Sequence, residues 1–85
     1  MAGRYANEEH PPQGIPARNQ DAIPCFVRLV DAEIGELFKA ATARRWTTTH
    51  VMVSFEVPGT SPSWPRQEVL AWVRAEDVRR ELRRD

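Results

Sequence analysis

Apolar and polar positions alternate most cleanly over His50–Val57. Val51, Val53, Phe55 and Val57 fall on one face, and Met52, Ser54 and Glu56 on the other. That period of two is the pattern of a strand with one face buried. Thr47–Thr49 just before it also favour extended structure. A second run, Cys25-Phe-Val-Arg-Leu-Val30, is rich in β-branched and aromatic residues and stops at Asp31. It predicts another strand.

Two further segments can be read either way, and the fold class turns on them. In Asp31–Arg45, residues Ile34, Leu37, Phe38 and Ala41 are spaced as a helical stripe. Gly35 opposes a helix, since an interior glycine costs about 1 kcal/mol relative to alanine. The competing reading is a turn at 31–35 followed by a strand from Leu37 to Trp46. In Gln67–Val78 a helix would align Ala71, Ala75, Val78 and Leu82 but scatter Val69, Leu70, Trp72 and Val73 around the cylinder. A strand places Val69, Ala71 and Val73 on one side and Leu70 and Trp72 on the other, which fits the large side chains better. The expected fold is therefore all-β, a small barrel of four or five strands with a short C-terminal helical turn. The alternative is α+β, with helices near 32–45 and 65–84.

Residues 1–23 carry three of the seven prolines, Pro11, Pro12 and Pro16, with few large apolar residues. Such a segment is expected to be a flexible, solvated leader, because it offers little surface to offset its ordering entropy. Residues 24–85 then form a single domain. Val57–Pro65, with three prolines and a glycine, reads as an irregular connection. The 85 residues hold 12 basic and 12 acidic side chains, and all the basic ones except Lys39 are arginine. No run approaches the ~20 apolar residues that span a bilayer. No apolar stretch of a secretory signal stands near the start. The expected setting is therefore the cytoplasm, away from membranes.

The segment Ala71-Trp-Val-Arg-Ala-Glu-Asp-Val78 resembles the end of an SH3-like small barrel. There a small residue precedes an aromatic and a β-branched residue, and a 3₁₀ turn leads to a core valine. Ala71, Trp72, Val73, Ala75 and Val78 match those places. The chain is also similar to small uncharacterised proteins of high-GC Gram-positive bacteria, through Arg44-Arg45-Trp46 and Trp72–Arg79. Peptide-binding SH3 domains carry a proline and a tyrosine in the closing motif, where this chain has Arg74 and Asp77. The resemblance thus implies an architecture and not polyproline binding.

Catalytic chemistry finds little footing. Cys25, the only thiol, has no histidine at a telling spacing, and reads as a small core residue. His10 and His50 form no metal-ligand pattern with each other or with a cysteine pair. The four glycines are too scattered for a phosphate loop. No catalytic residue, metal or cofactor is expected, and the chain reads as a non-enzymatic binding module that contacts another protein. Trp46, Trp64, Arg44 and Arg45 are the candidate partner surface, since exposed tryptophan beside arginine is the composition of interface hot spots. Trp64 reads equally well as a cap on the barrel end. The alternative is a small nucleic-acid-binding accessory protein using Arg44, Arg45, Arg79 and Arg80, with Arg83 and Arg84 nearby. Against it stands the even charge balance, which weakens counterion release as a driving force. A homodimer formed through an exposed edge strand is a further expected arrangement.

Overall fold

The computed structural model describes residues 5–80, the side chains of Thr60 and Trp64 excepted. Arg83 and Arg84 lie outside the described residues. Among these residues the chain runs through β1 (Ile23–Asp31), β2 (Gly35–Trp46), β3 (His50–Ser61), β4 (Trp64–Arg74), a 3₁₀ turn (Ala75–Asp77) and β5 (Val78–Arg79). The strands form one antiparallel sheet in the order β4-β3-β2-β1-β5. The fold is all-β and barrel-like, and both segments that could have been helical are strands. No helix among the described residues is long and apolar enough to cross a membrane.

Each strand follows from its side-chain alternation. Cys25, Val27 and Leu29 of β1 face inward, as do Val53 and Phe55 of β3 and Ala71 and Val73 of β4. Leu29, Val27, Val53 and Val73 are fully buried, each worth roughly 1.5–3 kcal/mol of hydrophobic transfer. The β1–β2 hairpin is set by Asp31, whose Oδ1 accepts hydrogen bonds from the Glu33 and Ile34 amides. Gly35 then takes a φ of +80°, a conformation that opposes a Cβ. The turn prevails over the helical stripe because Leu37 and Ala41 pair with the inward Leu29 and Cys25 of β1, which leaves the stripe's Ile34 73% exposed.

The β3–β4 hairpin is longer than the sequence suggested. Pairing continues through Pro58↔Arg66, with an irregularity before Ser61↔Trp64. The expected irregular loop over 57–65 is thereby reduced to the tip of a hairpin. Pro58 is tolerated because it belongs to the half of β3 that has no β2 neighbour, so its missing N–H removes no ladder bond.

The largest departure from expectation is the N-terminal segment, which is docked along the barrel. Tyr5 is buried, with its ring 6.0 Å from that of Phe55. The Ala6 amide donates to the Val30 carbonyl, and the Glu9 amide to the Trp72 carbonyl, both at 2.8 Å. The Asn7 side chain donates to the Arg28 carbonyl and accepts from the Val30 amide, so it stands in for a neighbouring strand. Residues 5–9 thus bridge the free edges of β1 and β4 and act as a strap closing the barrel. Further along, the Gln20 amide donates to the Arg44 carbonyl, and the Gln20 side chain accepts from the Trp46 amide. One tyrosine and one asparagine supply the anchoring that the segment's low apolar content seemed to deny.

Candidate functional site

The strap reveals which backbone groups of each strand face outward. Arg28 and Val30 bond to strap residues, so these positions of β1 point away from β2. In an antiparallel ladder the pointing alternates residue by residue. Hence Val27↔Lys39 and Leu29↔Leu37 carry the β1–β2 hydrogen bonds. Glu36, Phe38 and Ala40 must aim their N–H and C=O groups at the opposite side, toward β3. There the ladder spans only Thr42–Trp46 against Val51–Ser54. The first half of β2 and the second half of β3 therefore diverge.

A groove of about 610 Å³ opens where they part, lined by Phe38, Ala40, Arg44, Ser54, Glu56 and Glu68 among others. Its β2 wall is basic and aromatic. Phe38 is 38% exposed, and the Arg79 guanidinium sits 5.5 Å from its ring centroid, in cation–π range. Arg44 is the extra residue of a β-bulge between Ala43 and Arg45, and its Nε donates to Ser54 Oγ at 3.0 Å. Among the described residues neither Arg44 nor Arg79 makes an ion pair. The β3–β4 wall is acidic, with Glu56 directly opposite Glu68.

The residues expected from sequence to form one surface are dispersed. Trp46 is half-buried and packs against the core beside Val51, so it does not contribute an exposed aromatic. Arg45 is engaged by the N-terminal segment beyond the strap, donating to Asn19 Oδ1 at 2.9 Å and to the Pro16 carbonyl at 3.2 Å. Arg44 lines the groove, and Arg79 on β5 reaches it over Phe38. Arg80 is exposed beyond β5. The Trp64 side chain lies outside the described residues. Sequence reasoning missed Glu36, Phe38 and Ala40. The signal was present: once Leu37 is assigned to the core, Phe38 is a large aromatic on the outer face of its strand.

A second polar cluster pins the strap. His50 is buried, its Nε2 2.6 Å from Glu9 Oε2 and its Nδ1 2.7 Å from Thr49 Oγ1. A carboxylate only accepts, so Nε2 carries the proton. Arg74 binds both oxygens of Glu9. The Arg74 hydrogen bond, then that from His50, holds the Glu9 carboxyl below its ordinary range. Asp77, also buried, accepts from Asn7 and Arg28. These groups are mutually satisfied and serve to fasten residues 7–9. Cys25 is buried, and burial raises its thiol pKa, the opposite of nucleophile activation. Among the described residues no three His, Cys, Asp or Glu side chains converge as metal ligands would.

No protein-family model matches the chain, and neither a curated protein nor a solved structure is significantly similar to it.

Proposed function

We propose that the protein is a non-catalytic binding module, and that an extended segment of a partner protein lies in the groove between β2 and β3. The observation that supports this is the unpaired backbone of Glu36, Phe38 and Ala40 along a groove that also exposes Phe38. An added strand gains main-chain hydrogen bonds from such an edge and specificity from alternate side chains. Arg44 and Arg79 favour acidic side chains on the segment, and Phe38 favours an apolar one between them. The nucleic-acid alternative draws less support. Of its four arginines, Arg45 is committed to Pro16 and Asn19, and the acidic wall of Glu56 and Glu68 would face the phosphates.

Selection from a random-peptide display library, followed by titration of the best peptides into isotopically labelled protein, tests the reading. Bound peptides should shift the amides of Glu36, Phe38, Ala40 and Glu56. Ala40→Pro, which removes a groove-facing donor without touching the β1 ladder, should abolish binding while leaving the spectrum folded. Peptides that shift only other surfaces, or bind Ala40→Pro unchanged, would refute it. A DNA duplex that moves Arg44, Arg79 and Arg80 at low salt would favour the nucleic-acid alternative instead.

A further inference from the structure

A different edge carries a second inference. The Glu9 amide reaches the Trp72 carbonyl from outside β4. Even-numbered residues of β4 therefore point their backbone groups away from β3. Arg66, Glu68 and Leu70 share that orientation, and the described residues provide no strand or strap beside them. All three side chains are exposed on the outer face, Leu70 at 56%. Natural edges are commonly blunted by charge, but here the charges have a specific order. Glu68 faces Glu56 across the ladder, an unfavourable like-charge pair. Arg66 relieves only Glu56, at 3.3 Å, and Glu68 makes no ion pair among the described residues.

We infer that β4 pairs with β4 of a second copy of this chain, antiparallel about a two-fold axis at Gln67. An isologous contact repeats each interaction twice. With the axis at Gln67, Arg66 of each copy lies opposite Glu68 of the other, and both side chains stand on the same face. Arg66↔Glu68 then becomes a hydrogen-bonded backbone pair, and Gln67 faces its own copy as a non-hydrogen-bonded pair. Axes at Arg66 or Glu68 would set like charges against each other. An axis at Val69 or beyond would drive the partner strand into the strap at Trp72, and one at Pro65 would pair only the first residues of β4. Charge order and the end of the strap thus select one register, and the second arginine supplies the cation that Glu68 lacks. The two surfaces share the Glu68 side chain, but the dimer uses the outer backbone edge of β4 and the groove that of β2, so sedimentation and peptide titration distinguish the failure of one from the failure of the other.

Sedimentation velocity over a concentration series of the full chain tests the pairing. The unmodified protein should pass from monomer to dimer as concentration rises. Arg66→Glu alone or Glu68→Arg alone creates two like-charge contacts per dimer and should weaken association at least about tenfold. The double swap restores opposite charges and should return the association constant to within about threefold. Gln67→Cys should form an intermolecular disulfide on mild oxidation, because non-hydrogen-bonded pairs bring Cα atoms to about 4.5 Å. Amide spectra confirm that the variants fold. A protein that stays monomeric at all concentrations, a dimer indifferent to the single swaps, a double swap that does not rescue, or no disulfide at Cys-substituted Gln67 would each overturn the inference.

Discussion

If residues 5–9 close the barrel, truncating Tyr5 should destabilise a domain whose remaining sequence is untouched. Tyr5 is 8% exposed and belongs to the same buried cluster as Val27, Val53 and Phe55. Removing a buried aromatic side chain costs about 3–5 kcal/mol where the site cannot collapse. Tyr5 lies on a segment that can lift away, so its cost is capped by the docking energy of the strap. The lower end, about 3 kcal/mol, is therefore expected for Tyr5→Ala. Domains of this size melt about 4–8 °C lower per kcal/mol lost, so the expected shift is roughly 12–24 °C. Urea denaturation gives the same quantity through its midpoint. Tyr5→Phe is the control: no described side-chain hydrogen bond uses the tyrosine hydroxyl, so the change should stay within about 0.5 kcal/mol. Hydrogen exchange locates the effect. The Val30 amide, held by Asn7, should exchange faster in Tyr5→Ala, whereas Val53 should track global unfolding. A Tyr5→Ala protein within about 0.5 kcal/mol of the unmodified one, with Val30 exchange unaltered, would show that the strap contributes nothing to the fold.

Two more outcomes follow from the titrating groups. The Glu9 carboxyl is held below its ordinary pKa by Arg74 and then His50; its stabilisation is complete above the unfolded value and fades as pH falls through the depressed folded value. The Glu9 amide should therefore lose exchange protection on acidification below the ordinary glutamate range. Glu9→Gln should remove that dependence; unchanged acid behaviour in Glu9→Gln would contradict the ion pair. The Cys25 thiol is buried and its pKa raised by that burial, so a disulfide reagent at mildly alkaline pH should label it slowly in the native protein and rapidly in urea; fast native labelling would place it at the surface.

The strands were legible because burial on one face writes a period of two into the chain. His50–Val57 is the clearest instance: Val53 and Phe55 of its inward set are buried and Val51 and Val57 partly so, although Met52 and Ser54 of the opposite face are buried as well. The turn at Asp31–Gly35 was legible in part. Asp31 and Gly35 are turn residues for definite reasons, an oxygen that caps two amides and a backbone at positive φ. Yet the stripe of Ile34, Leu37, Phe38 and Ala41 fits a helix equally well over about two turns. Only the partner strand resolves that choice: Leu37 pairs with Leu29 and Ala41 with Cys25, and both partners are inward residues of β1. Local pattern cannot contain this information, because it resides in residues eight to sixteen positions away.

The strap and the groove were illegible for a related reason. Average composition judged residues 1–23 by how much apolar surface they could bury, but their docking depends on a few directed bonds. Asn7 contributes two of them to β1, and the Ala6 and Glu9 amides one each to β1 and β4. These consume backbone groups that would otherwise make both strands open edges. What remains open is then set by subtraction. Among the described residues β2 has unpaired groups at Glu36, Phe38 and Ala40 because β3 leaves it after Ser54, and β4 has them at Arg66, Glu68 and Leu70 because the strap stops at Trp72. Arginine and tryptophan counts pointed to Arg45 and Trp46, residues whose side chains are already spent on Pro16 and Asn19 and on the core. A composition-based search favours residue types seen at interfaces, whereas in a small barrel the scarce resource is an unpaired strand edge. Among the described residues two such edges stand out, one beside an exposed Phe38 and one with opposed charges in self-complementary order, and the two proposed contacts rest on them.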